Sequence, residues 1–253
     1  MVEALFWPAL LGYGEAAVAY ASVRTSRAAT WGVRLGWLAQ TALLVVQAAR
    51  ADGFPWSSWA GSLNLFVWLV VGAYLIWGCR PRYRLLGLAV MPLAAALFLV
   101  ARLGGGTGLG GRSDYGNVFL VLHVGLVLAA FAGFTLAAAL AALYLWQERR
   151  LKLRAPDILR LRLPPLAALE RLTWRTILVS LPLLTLGLAA GIVRQRQRHT
   201  GLDALEALTL VTWLVYGGFV LLHPGGRRAA AVSLGGFALV IVLRLALAGS
   251  HFG

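Results

Sequence analysis

The chain has 253 residues, 60% of them hydrophobic and 13% charged. That balance excludes an ordinary soluble domain, in which about 25% of residues are charged. The 23 Lys+Arg outnumber the 9 Asp+Glu for a formal charge of +14, and all of these cations except Lys152 are arginines. All but Arg244, which lies within the last run, sit near the ends of or between apolar runs long enough to cross a bilayer, so the charge follows membrane topology rather than nucleic-acid binding. The single cysteine, Cys79, excludes an intrachain disulfide, a Cys-x-x-Cys redox pair and a Cys-x-x-Cys-His attachment motif.

The apolar runs, in chain order, occupy residues 5–23, 31–49, 62–79, 85–101, 117–146, 173–193, 204–222 and 229–249. The first has Glu3 before it and Glu15 within it instead of a basic leader, so no cleavable signal peptide is expected. In hydrocarbon every backbone polar group needs an internal partner, and the runs are therefore predicted to be helices. The fold class expected is all-α: a polytopic membrane protein with eight transmembrane helices, forming a single domain over residues 1–253. The fifth run, at ~1.5 Å per residue, is about 45 Å long and exceeds a ~30 Å core, so it is predicted to tilt or project.

The connections alternate in charge. Arg24, Arg27 and Arg34, then Arg80, Arg82 and Arg84, then the stretch from Arg149 to Arg175, then Arg227 and Arg228 form the cation-rich set. Arg50, Arg102, Arg112, Arg194, Arg196 and Arg198 form the sparser set, beside Asp52, Asp114, Asp203 and Glu206. Cation-rich loops stay in the cytoplasm, which places both termini outside. The segment from Gln147 to Arg175 mixes cations with Glu148, Asp157, Glu170 and an apolar series, and reads as an interfacial amphipathic helix on anionic headgroups.

This topology puts His123, His199 and His251 on the outer side and His223 on the inner side. Neutral imidazole is a good iron ligand, and two imidazoles on opposite sides of a flat macrocycle can supply both axial bonds of a haem. His123 and His251, each at a helix end, are the natural pair; His199 lies in the charged run from Arg194. Interfacial histidines also simply tolerate both water and lipid, and the pattern alone leaves both readings open. Trp56 and Trp59, expected in the outer loop between the second and third helices, would supply aromatic walls, although tryptophan is enriched at interfaces without any ligand. Arg194, Arg196 and Arg198 suit bidentate carboxylate contacts. Arg244, seven residues before His251, could meet a haem carboxylate or pair with Glu15 inside the membrane. The stretch from Gly104 to Gly111 lacks the Gly-Lys-Ser/Thr ending of a phosphate loop and is expected to be a flexible connection. No Ser/His/Asp order, His-x-x-x-His or paired-carboxylate site stands out, so no enzyme is expected.

Several segments resemble the cytochrome c assembly protein family, the haem-handling CcsA and CcmC type, and in particular its short HemX and YpjD-like branch. They are Leu122-His123-Val124 with Tyr144-Leu145-Trp146 at the end of the same run, Phe54-Pro55-Trp56, Ser62 to Trp68, Leu86 to Leu93, and Leu163-Pro164-Pro165-Leu166. Asp203, Glu206, Thr212 and Trp213 keep the spacing of the family's outer haem motif, while its tryptophans are replaced by Arg196, Gln197, Arg198, His199 and Thr200. Asp-x-x-Glu at a helix start is also a capping arrangement. The family's two outer haem-ligating histidines map onto His123 and His251.

The resemblance implies a protein of the bacterial inner (cytoplasmic) membrane that holds or transfers non-covalent b-type haem at its outer face. Cytochrome c assembly proteins or a haem-biosynthesis enzyme are the partners it implies, beside haem and the lipid bilayer, with no nucleic acid. A membrane regulator or scaffold of haem biosynthesis, acting through its basic cytoplasmic loop without haem ligation, is the alternative. A small-solute or ion transporter using Glu15 and Arg244 is a third reading, unsupported by any broken helix or inverted repeat.

Overall fold

A computed structural model of the chain describes residues 2–21, 26–51, 54–77, 84–109, 118–154, 164–198 and 204–251. Among the described residues the chain forms eight α-helices and no strand: α1 (Val2–Ala21), α2 (Ser26–Arg50), α3 (Trp59–Trp77), α4 (Arg84–Leu103), α5 (Val118–Lys152), α6 (Leu166–Arg198), α7 (Ala204–Leu222) and α8 (Gly226–His251). Each overlaps one of the expected apolar runs. Four of them, α3 to α6, are long and apolar enough to cross a bilayer, with mean hydropathy of 1.7 to 2.3 over their best windows. The protein is an all-helical membrane protein.

Several boundaries differ from the sequence expectation, for local reasons. Trp59 opens α3 instead of lying in the loop, because the Ser58 hydroxyl accepts the Gly61 amide at 3.1 Å and so starts the helix three residues early. The segment from Gln147 to Arg175 is described only in part, residues 155–163 lying outside the described residues. Its described parts are the last turn of α5 and the first turns of α6, because an unbroken run of i→i−4 bonds continues past the hydrocarbon boundary more cheaply than a new helix nucleates. For the same reason α6 runs through Arg194 and Arg196 to Arg198, and α8 extends to His251.

The chain divides into two compact units, residues 1–124 and 125–253. In the first, α1 and α2 pack backbone to backbone. A Cβ on Gly12 would lie 2.7 Å from the Gly32 carbonyl oxygen and 2.8 Å from the Gly36 Cα, so only glycine permits this approach. α4 packs on α1 through Phe98, whose ring lies 4.9 Å from Phe6. Trp37 of α2 and Trp68 of α3 stack at 5.1 Å and 13°, held by Trp37 Nε1 donating to the Trp68 carbonyl and Trp68 Nε1 donating to Thr41.

In the second unit, α5 meets α6 where Gly133 leaves room for the Ser180 hydroxyl. α5 meets α7 where Phe134 and Tyr216 stack at 3.9 Å and 4°. Tyr216 then donates its hydroxyl hydrogen to the Ser233 carbonyl of α8 at 3.2 Å. These helix ends are tied by Gln147 Nε2, which donates to the Pro164 carbonyl at 3.0 Å, and by Glu170, which accepts the Gly226 amide at 2.6 Å. His223, at φ 44°, and Gly226, at φ 56°, make the reversal between α7 and α8, and His223 rests on Trp174 at 3.9 Å between ring centres.

Candidate functional site

At the end of the first unit where α2 and α4 stop and α3 starts, the chain builds a fixed aromatic shelf. Pro55–Ser57 form a single 3-10 turn with proline at its start, where its missing N–H costs nothing. Ser62 donates its hydroxyl hydrogen to the Trp56 carbonyl at 2.7 Å. Phe54 is buried and meets the Trp56 ring edge to face at 5.6 Å. The Trp56 Nε1–H is buried and has no hydrogen-bond partner. Such an orphaned buried donor is unusual. Trp59, by contrast, stays 47% exposed, so much of its indole is open to a further molecule.

The described part of the glycine-rich stretch after α4, residues 104–109, folds against this shelf. Gly106 N donates to the Ala101 carbonyl at 2.7 Å and Gly105 N to the Arg102 carbonyl at 3.0 Å. With Gly105 at φ 79°, this is the paired-bond ending in which a left-handed glycine closes a helix. A side chain at Gly104 would strike Trp59, and one at Gly106 would strike the Ala60 backbone. The turn is further pinned by side chains of α2 and α3: Gln47 Nε2 donates to the Gly106 and Gly108 carbonyls at 3.1 and 2.7 Å. Asn64 Nδ2 donates to Gln47 Oε1 at 3.0 Å and to the Gly106 carbonyl at 3.2 Å. Gln40 Nε2 donates to Asn64 Oδ1 at 2.9 Å, and the Tyr13 hydroxyl donates to Gln40 Oε1 at 2.6 Å. Gln40, Gln47 and Asn64 are fully enclosed. Sequence reasoning passed over these residues. The signal was present: Gln40 and Gln47 are seven apart, on one face of α2, and an amide facing into a helix bundle in lipid needs a partner.

Of the residues singled out from sequence, Trp56 lies in the 3-10 turn and Trp59 is the first residue of α3, three positions on. His123 lies in the second turn of α5, half-buried, within the first unit. Arg244 and His251 belong to α8, but their side chains, like those of Arg194 and Arg198, lie outside the described residues. His199 and Asp203 also lie outside them. Arg196 is exposed on α6 and Glu15 is exposed on α1. Thr212 donates its hydroxyl hydrogen to the Leu208 carbonyl at 2.9 Å, and Trp213 Nε1 donates to Thr185 at 2.8 Å. Both thus serve the packing of α7. Among the described residues no group of three or more His, Cys, Asp or Glu could hold a metal ion.

Comparison with known proteins gives a consistent assignment. The family model described as Cytochrome C assembly protein matches residues 56–249. The cytochrome c biogenesis protein CcsA of Gloeothece citriformis is 26% identical over an alignment covering 85% of this chain and 83% of that protein. The protein of the same name from Prochlorococcus marinus is 27% identical, covering 83% of this chain and 77% of the relative. Protein HemX of Brevibacillus brevis is 28% identical over 62% of this chain and 58% of its own length. The match begins at the tryptophan shelf and continues through α8; the chain belongs to the cytochrome C assembly protein family.

Proposed function

We propose that the protein spans the bacterial inner membrane eight times, with both termini outside, and holds or transfers non-covalent b-type haem at its outer face. His123 and His251 are the proposed axial ligands, Trp56 and Trp59 the aromatic wall, and Arg244 the partner of a haem carboxylate. The observation that carries the reading is the half-exposed indole of Trp59 at the start of α3, three residues into the stretch that matches the family. A flat apolar ring fits it, because an exposed indole offers a stacking surface. Bound haem supplies an iron whose potential follows its axial ligands and burial. The chain's own contribution is to bind, orient and shield it, without covalent chemistry of its own. The names of the CcsA relatives favour cytochrome c assembly proteins as the partners that give or receive haem.

A second reading, a regulator acting through its inner surface, is favoured by the exposed cations Arg149, Arg150, Arg154, Arg171, Arg175, Arg227 and Arg228. It draws on the match to HemX as well.

The test of the first reading is the optical spectrum of protein purified in detergent. A Soret band is expected in the native chain and is expected to vanish in both His123→Ala and His251→Ala. A native protein that stays colourless with added haem, or a band intact in both variants, overturns it and leaves the regulator.

A further inference from the structure

Resting on that reading, we infer that Gln47 and Asn64 are positioning residues of the outer haem site, setting the tryptophan shelf from inside the membrane. Neither carboxamide faces the shelf itself. Each acts through the turn after α4: Gln47 holds the Gly106 and Gly108 carbonyls, and Asn64 holds the Gly106 carbonyl together with Gln47 Oε1. The turn in turn bears on the shelf, since Gly104 lies directly against the Trp59 ring and Gly106 against the Ala60 backbone, leaving no room for a Cβ at either.

The chemistry of the two amides matches this task. Both hydrogens of each amino group are used, and both side-chain oxygens accept, Gln47 Oε1 from Asn64 and Asn64 Oδ1 from Gln40. A fully satisfied buried network fixes one geometry, because any rotation of one amide breaks bonds at the next. If stability of α4 were all that mattered, its paired-bond glycine ending would suffice. The extra donors reach past that ending to Gly108, and so fix where the turn goes after the helix has stopped. Binding sites held within about 0.5 Å depend on such supporting contacts.

The experiment uses the full-length protein in detergent with haem bound, and transfer of haem to an excess of a soluble scavenger. Gln47→Met and Asn64→Leu keep side-chain volume and remove the amides, whereas Tyr13→Phe removes the far end of the same network without touching the turn. Haem loss about tenfold faster is expected in the first two variants, the scale of supporting-contact losses at metal sites. Tyr13→Phe is expected to stay within about twofold of the native rate while losing the thermal stability of one hydrogen bond. Hydrogen exchange of residues 103–109 is expected to quicken in Gln47→Met and to slow when haem is added to the native chain.

Native-like haem retention in Gln47→Met and Asn64→Leu, with the native chain loaded, overturns the inference and leaves the haem reading standing. So does haem loss that merely tracks thermal stability across all three variants. If the amide variants do not fold, the native chain still decides: exchange at 103–109 that haem leaves unchanged overturns the inference. A native chain that takes up no haem overturns the reading of the preceding section, and the inference with it.

Discussion

Glu170 accepts the backbone amide of Gly226 at 2.6 Å across 56 residues of sequence, and thereby ties the first turns of α6 to the start of α8. The same face of α6, one turn on, presents Trp174 to His223, so the α7–α8 reversal is held at two adjacent points. Replacing the carboxylate with Glu170→Leu leaves the half-buried amide without its acceptor and is expected to cost about 1–3 kcal/mol. Glu170→Gln keeps an acceptor oxygen and is expected to retain most of the stability. Thermal unfolding in detergent orders the three proteins; equal midpoints would show that the contact contributes nothing.

Two glycines of α1 make a matched pair. Gly12 lies against the Gly32 and Gly36 backbone, while nothing lies within 4 Å of a Cβ built on Gly14. Gly12→Ala is expected to force the helices apart at a cost of about 1–3 kcal/mol. Gly14→Ala is expected to be neutral or to stabilise by up to about 1 kcal/mol through helix propensity. Thermal midpoints in the opposite order would mean that α1 and α2 do not approach at Gly12.

The stacked pair of the second unit separates ring packing from hydrogen bonding. Tyr216→Phe keeps the stack on Phe134 and gives up the bond to the Ser233 carbonyl, at an expected cost of about 1 kcal/mol. Tyr216→Ala empties a fully enclosed ring site and is expected to cost about 3–5 kcal/mol. Denaturation curves of the two variants that coincide would show that the ring packing adds nothing.

Membrane orientation is checked by single cysteines introduced into a Cys79→Ser background. An impermeant thiol reagent applied to intact cells is expected to label Leu109→Cys and to spare Arg154→Cys and Arg228→Cys, with the reverse pattern in inverted vesicles. Labelling of Arg228→Cys from outside would invert the orientation on which the outer site depends.

Each helix was legible in the sequence to within a few residues at most ends, because a run that must satisfy its own backbone in lipid has one structural solution. The larger misses lie at the membrane borders, where hydropathy falls but the hydrogen-bond ladder goes on. α5 continues to Lys152, and α6 extends from Leu166 to Arg198, well beyond its apolar run. Trp56 and Trp59 stood out as aromatic residues between spans. Their shelf did not, because it is made by residues whose side chains are small or neutral: Ser58, Ser62, Gly104, Gly106 and the amides of α2 and α3. A glycine run reads as freedom in a sequence, and here it allows backbone to lie against backbone. Gln40, Gln47 and Asn64 carry no charge and sit singly within apolar runs, so the charge pattern gave no sign of the polar network they form.

The amide chain also implies an order of assembly. Gln40 can receive the Tyr13 hydroxyl as soon as α2 has joined α1, but its own amino group waits for Asn64 on α3. Gln47 and Asn64 then wait for the turn that follows α4. It follows that a nascent polypeptide stopped before residue 103 exposes amide hydrogens to lipid, and in living cells it should be cleared by membrane proteases faster than one that has reached residue 118. Pulse-chase lifetimes of the two truncations would read that difference directly.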